Sequence, residues 1–363
     1  MLADLGHSLV ERGDLDEAKT AYEGGLVAAN LAGDRAAGAL IEARKTALQT
    51  MRGGLMDDAV TTLRPLAAEL EELGDEEALA EVLYFLGQHI SWTDGDPTEE
   101  LERAARIANM LGNLRLEASV IGWLCVDAFW YEGSVDDGLK LCARLLGRPN
   151  ARGEASRMLV VRGNFKRMAG REEEGRADVE EGTAMQMELG RTVDAHAFSM
   201  MTACVSLLAG RYEQAEEEIM PAHDALKAYG ETGYLSTVSG IAALALAAQG
   251  RSDEAEVYVD EARALGADDD ISTQTYWRAA NARVLAARGD HDAARDLAEE
   301  SLALLDRRRL LDMGILCVNT ADVHRAAGRS DEARRLLEQA IELREHKGIV
   351  LGADWMQEQL AAL

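Results

Sequence analysis

The sequence predicts an all-α chain: a right-handed α-solenoid of nine helical hairpins, period about 40, closed by a C-terminal capping helix. Three observations predict it. The phrase Ala209-Gly210-Arg211-Tyr212-Glu213-Gln214-Ala215 reads as a tight corner, a glycine ending one helix and acidic residues opening the next. Corner glycines recur at Gly13, Gly54, Gly95, Gly133, Gly170, Gly210, Gly250, Gly289 and Gly328, at intervals of 37 to 41 residues. Small residues keep fixed offsets from them, as two closely crossed helices require. Five residues later stand Ala18, Ala59, Gly138, Gly175, Ala215, Ala255, Ala294 and Ala333, with Glu100 the exception. Seven residues earlier stand Gly6, Ala47, Gly163, Ala203, Ala243, Ala282 and Ala321, with Gln88 and Val126 the exceptions. Scarce proline and abundant alanine and leucine agree with helix throughout.

The hairpins follow in order. The first opens without a cap, and Leu2, Leu5 and Leu9 beside Gly6 form an apolar stripe at the end of the stack. Terminal repeats usually carry a polar outer face, so the chain reads as cut from something longer, or as covered there by a neighbour. That edge is the expected place of any self-association. Hairpin two spans about 35–73, with Arg52-Gly53-Gly54 at its corner. Hairpin three turns at Asp94-Gly95-Asp96-Pro97, the proline sitting early in a helix where its missing N–H costs little. Between hairpins four and five, 147–153 is the most loop-like stretch, without marking a domain boundary, so residues 1–363 read as a single repeat domain. Hairpins five to nine are more uniform. Two joining loops stand out, at 229–234 and 266–272, and Asp270 or Ser272 is the expected cap of the helix after the second. After Lys347-Gly348, residues 351–363 form one more amphipathic helix, with Trp355 and Leu360 on its apolar face, as a final solvating cap.

The formal charge of −27 disfavours nucleic acid. The one run of three basic residues, Arg307-Arg308-Arg309, reads as a cationic helix end. There is no basic segment followed by an apolar one at the N-terminus, and the longest apolar run, 241–248, is far below a membrane span of about 20 residues. The four cysteines lack close pairing, which suits buried, reduced thiols in a cytoplasm. No phosphate-cradling glycine loop, metallohydrolase helix or serine-nucleophile motif occurs, and the seven histidines lack ligand spacing. The sequence therefore predicts no enzyme, no metal site and no cofactor.

One constellation stands out. Seven of 17 aromatic residues lie between 84 and 131. Phe85, His89 and Trp92 are spaced as one helix face, and Trp123, Asp127 and Trp130 repeat the spacing 38 residues later, with Tyr131 following. The hairpin-packing stripes are different residues: Tyr84, Gly87 and Ser91, then Gly122, Cys125 and Phe129. The aromatic rows are expected on the concave side. The row beyond them is Val160, Asn164 and Arg167, and the row before is Arg44, Leu48 and Met51. An aromatic floor flanked by arginines suits a peptide or an anionic group. The plainer alternative is that the rings only fill the contact between hairpins three and four. An open trough would favour a peptide, and a pocket closed by ring stacking would favour a small molecule.

The glycine corner with small residues five later and seven earlier resembles the tetratricopeptide repeat. Pairs such as Ala215 and Ala222, Ala255 and Ala262, and Ala333 and Ala340 add that family's second small position. The period exceeds the family's usual 34, and its early tryptophan and closing proline are mostly missing, so HEAT-like repeats are the alternative fold. The phrases 230–237, 269–278 and 283–289, with Lys347-Gly348, resemble the C-terminal tetratricopeptide region of bacterial signalling proteins. Those proteins carry class III adenylate/guanylate cyclase and STAND-type ATPase domains upstream. The resemblance implies a regulatory module with a protein or peptide partner, attached to or working with such domains, and transfers no catalytic residue.

Overall fold

The computed structural model describes residues 2–93, 95–147 and 152–363. Asp94 of the third corner and residues 148–151 of the loop-like stretch lie outside the described residues, as do the side chains of Ala3 and Arg152. The described chain is helical throughout. Antiparallel pairs succeed one another: α1 (Leu2–Arg12) with α2 (Leu15–Ala32), α3 (Arg35–Thr50) with α4 (Met56–Leu73), and α5 (Glu76–Trp92) with α6 (Thr98–Met110). Next come α7 (Leu114–Trp130) with α8 (Val135–Leu146), and α9 (Arg152–Met168) with α10 (Glu172–Glu188). The sixth pair sets α11 (Thr192–Ala197) and α12 (Ser199–Leu208), separated by Phe198, against α13 (Tyr212–Tyr229). Then follow α14 (Gly233–Ala248) with α15 (Ser252–Leu265), α16 (Ile271–Ala287) with α17 (His291–Ala303), and α18 (Leu310–Ala326) with α19 (Ser330–Lys347). The last helix is α20 (Ala353–Ala361).

The small residues lie where the helices cross. Ala18, Ala215, Ala255, Ala294 and Ala333 are completely buried. Closest of all are α9 and α10, where a Cβ on Gly163 would stand 2.5 Å from the Gly175 carbonyl. The corners differ in detail from expectation. Gly13, Gly170, Gly210, Gly250, Gly289 and Gly328 are left-handed, whereas at the second corner it is Gly53, not Gly54, that takes positive φ. Gly95 and Gly133 do not take it either: both sit over the end of the preceding helix, and the Gly95 N–H reaches back to the Ile90 carbonyl at 2.9 Å. All four cysteines are buried and unbridged. At the N-terminal edge Leu2 and Leu5 are exposed, while Leu9 packs against the cluster around Leu15 and Tyr22.

The solenoid is wound tightly enough that its later turn docks on its earlier one. Thr192 Oγ1 donates to the Arg12 carbonyl, 180 residues back, at 2.9 Å, and Arg191 pairs with Glu11 at 3.2 Å. The N–H groups of Thr232 and Gly233 both donate to the Met51 carbonyl at 3.0 Å. Those of Val350 and Leu351 donate to the Met168 carbonyl at 2.8 and 3.1 Å. Arg344 donates to the Leu208 carbonyl at 2.7 Å. Lys347, fully buried, donates to the carbonyls of Ala128 (2.9 Å), Tyr131 and Gly133 (2.8 Å). One physical rule covers these contacts. The last carbonyls of a helix have no partner within it, and here the ends of α1, α3, α7, α9 and α12 are capped by donors from a later repeat. The reverse exchange also occurs: the Asp269 carboxylate accepts the Asp57 N–H at the start of α4, at 2.7 Å. Helix α20 belongs to this seam too. Instead of only solvating the last hairpin, it lays Trp355 over Gly210 and edge-on to Tyr212, ring centroids 6.3 Å apart.

Candidate functional site: an aromatic chamber between two superhelical turns

The turn-to-turn seam roofs the aromatic rows. Trp92, at the end of α5, meets Trp123 of α7 edge-on, centroids 5.5 Å apart and planes at 86°. Across the seam it meets Tyr234 at the start of α14, 6.4 Å away at 83°. These rings line a chamber of about 120 Å³ together with Trp130, Tyr131, Met51, Met56, Phe198, Met201 and Ile241. The interruption between α11 and α12 falls at Phe198, which lines the chamber.

Polar groups cluster at the side formed by the later repeats. Glu231 has no exposed surface, and its carboxylate accepts the N–H groups of Tyr234 (2.9 Å) and Leu235 (3.1 Å), capping α14. Burial pushes its pKa up to about 8, against the pull of those N–H groups. Asp270 caps α16 through the Thr273 N–H at 3.1 Å and accepts the Thr273 hydroxyl at 2.7 Å; burial raises its pKa too. Arg309 bonds Asp312 at 2.9 Å and Ser272 at 2.8 Å, and its guanidinium lies 5.5 Å from the Tyr131 ring centroid. The Tyr276 hydroxyl donates to the same Asp312 carboxylate at 2.5 Å. Trp123 Nε1 is buried without a hydrogen-bond partner.

The residues expected in a groove separate into two sets. Trp92, Trp123, Trp130 and Tyr131 come together on the chamber wall. Phe85 turns aside, half-buried against Tyr84 at 5.8 Å and the core of hairpins two to four. His89 is core as well: Nδ1 donates to the Phe85 carbonyl at 2.8 Å, Nε2 stands 3.1 Å from Thr50 Oγ1, and burial lowers its pKa to about 4. Asp127 accepts the Ser91 hydroxyl at 3.0 Å, and the Ser91 carbonyl in turn accepts the Tyr131 hydroxyl. Asn164 is fully buried and donates to the Val160 carbonyl and Thr202 Oγ1, both at 3.1 Å.

The arginines do not flank an open floor. Arg44 is buried between Glu81 at 2.6 Å and Asp4 at 3.3 Å. Arg167 has no exposed surface and is held by Glu172 and Glu218, each at 3.1 Å, and by Ser206 at 2.8 Å. A buried guanidinium must be paired, and acidic residues early in second helices reach back to pair it. The arginine-flanked groove is therefore not formed, and the aromatic rows line instead a partly open pocket between the two turns. The basic run is corrected too: α17 ends at Ala303, so Arg307 to Arg309 lie in the loop before α18, where Arg309 reaches the chamber. Glu231, Tyr234, Asp270, Arg309 and Asp312 carried no site expectation. Their signal was only that the two distinctive joining loops, 229–234 and 266–272, are the ones that meet at the chamber.

Among the described residues no helix is long and apolar enough to cross a membrane, and no group of three or more His, Cys, Asp or Glu residues could hold a metal ion. A tetratricopeptide-repeat family model matches residues 272–346, and a second tetratricopeptide-repeat model matches 2–23 and 239–261. The fold is that of a tetratricopeptide-like α-solenoid. It is similar to the apo form of RapI, with a TM-score of 0.50 at 12% identity over 95% of this chain and 96% of that one. Yeast Tom70 gives a TM-score of 0.48 at 14% identity, covering 89% of this chain and 64% of that chain. BtubC (BKLC) from P. vanneervenii gives 0.40 at 19% identity, covering 59% of this chain and 90% of that chain. No curated protein sequence matches.

Proposed function

We propose that this chain is a non-catalytic sensing and interaction module, working as a single repeat domain, whose chamber receives a compact ligand and whose outer surface meets a protein partner. One observation carries the reading: Trp92, Trp123 and Trp130 of hairpins three and four line one partly open pocket with Tyr234, Phe198 and Glu231 of the later turn. A free volume of about 120 Å³ is near the roughly 150 Å³ of a cavity that admits benzene. It is too small for an extended peptide unless the seam opens. A ligand there touches both turns at once, so its binding energy acts on the seam, which is the requirement for coupling occupancy to shape. The regulated partner is a signalling protein. The cyclase and STAND-ATPase class is suggested by the phrases between Gly230 and Arg288 alone, and co-purification with nucleotide-binding domains tests it. Such a module acts in a cytoplasm, the setting that buried unbridged thiols suit.

The test is tryptophan fluorescence and thermal shift of the full chain against compounds of six to ten heavy atoms. A saturable quench with a raised Tm, abolished by Trp92→Ala, is expected. No saturable response, or one that survives Trp92→Ala, overturns the chamber reading. Peptide binding that speeds amide exchange at Thr232 and Gly233 would replace it with a peptide groove that opens along the seam.

A further inference from the structure

We propose that the chamber's ligand is a compact organic cation, an amine or quaternary ammonium carrying a hydrogen-bond acceptor. This rests on the reading of the chamber as a ligand site and adds the ligand's charge. The walls supply ring faces at near right angles, with Trp92 set 86° to Trp123 and 83° to Tyr234. Negative π-faces meeting at a corner attract a cation, most strongly where water is excluded. The fold already uses that attraction on this wall, where Arg309 lies over Tyr131.

Charge points the same way. Four ionisable groups other than tyrosine line the chamber: Glu231, Asp270, Asp312 and Arg309. Arg309 is committed to Asp312 at 2.9 Å. Glu231 accepts only backbone N–H groups, and Asp270 accepts backbone and hydroxyl donors. Among the described residues neither has an ion-pair partner. Burial without an ion pair favours the protonated form of Glu231, whose pKa is pushed up to about 8, and an arriving cation draws out its charge with release of that proton. An anion would meet the opposite balance. His89 beside Trp92, centroids 4.9 Å apart, is held neutral by burial and does not repel a cation. Trp123 Nε1, buried and without a partner, supplies a donor for the ligand's hydroxyl or carbonyl. The net charge of −27 draws cations toward the molecule from solution.

Choline, its neutral isostere 3,3-dimethylbutan-1-ol and the anion 3,3-dimethylbutanoate separate charge from shape. Calorimetry and tryptophan fluorescence on the full chain should show choline binding at least tenfold tighter than the alcohol, with the anion weakest. Glu231→Gln should narrow the gap between choline and the alcohol at least tenfold. Asp270→Asn serves the same purpose if Glu231→Gln does not fold. Equal or tighter binding of the alcohol or the anion overturns the cation proposal and leaves the ligand-sensing reading standing. Binding by none of the three, or choline binding unchanged in Trp92→Ala, overturns the proposal together with its premise.

Discussion

At the residue scale, two buried titratable groups make the stability of this fold respond to pH in opposite senses. His89 titrates near 6.5 when unfolded and near 4 when folded, because burial disfavours its charged form. Its contribution is complete above pH 6.5 and is lost as pH falls toward 4. Glu231 titrates near 4.5 when unfolded and about 8 when folded, again through burial. Its contribution is complete below pH 4.5 and is lost as pH rises through 8. Each ramp is worth about 1.4 kcal/mol per pH unit. They cancel between pH 4.5 and 6.5; of the two only the Glu231 ramp acts from 6.5 to 8, and above pH 7 it is opposed by buried Lys347, whose pKa is lowered to about 7. Urea unfolding across this range should give a level stretch and then a fall of about 2 kcal/mol from these two groups. Glu231→Gln should remove the fall, and His89→Asn should make it begin near pH 4.5. An unchanged profile in both variants would show that neither group is buried as described.

At the scale of the element, the small-residue rule decides how closely paired helices approach. Gly163 and Gly175 occupy the two small positions of hairpin five, and a Cβ on Gly163 would also stand 2.8 Å from Val179 Cγ2. Gly163→Ala must separate α9 from α10 and should cost about 1–3 kcal/mol, as overpacking does. Gly38, inside α3 with nothing within 4 Å of a would-be Cβ, is the control. Gly38→Ala should be neutral or stabilise by about 0.5–1 kcal/mol. Thermal or urea unfolding of both variants checks the contrast. Equal effects would mean that the glycine at 163 is not there to permit close contact. The rule was legible at this scale because glycine and alanine at fixed offsets leave a mark in every repeat. The first-helix face of Phe85, His89 and Trp92 was legible as a face. Which of its residues see the chamber was not, because the three share one face and differ only in height along it: Trp92, at the end of α5, is the one that meets the later turn.

At the scale of the molecule, the seam holds the closed form. Lys347 spends all its donors on three carbonyls at the end of α7, and Val350, Leu351, Gly352 and Trp355 cover the ends of α9 and α12. Lys347→Met leaves those carbonyls buried without a donor and should cost about 2–4 kcal/mol, since an unmade buried hydrogen bond costs its full desolvation. Ending the chain after Gly348 should raise amide exchange at 165–171 and 205–212 while leaving α2 to α4 protected. Exchange unchanged in those segments would show that the turns do not stabilise one another.

The sequence by itself determined that the chain is built of helical hairpins with small residues at their crossings. Those depend on neighbours a few residues or one repeat away, and such local rules repeat visibly. Only the tertiary structure decided that a later turn lies against the aromatic rows. That contact depends on the small rotation between successive hairpins, accumulated until Thr192 returns to Arg12 after 180 residues. No local pattern records that sum. The same accumulated rotation brings Glu231 and Tyr234 opposite Trp92, whereas Arg44 and Arg167 are buried by ion pairs within neighbouring hairpins.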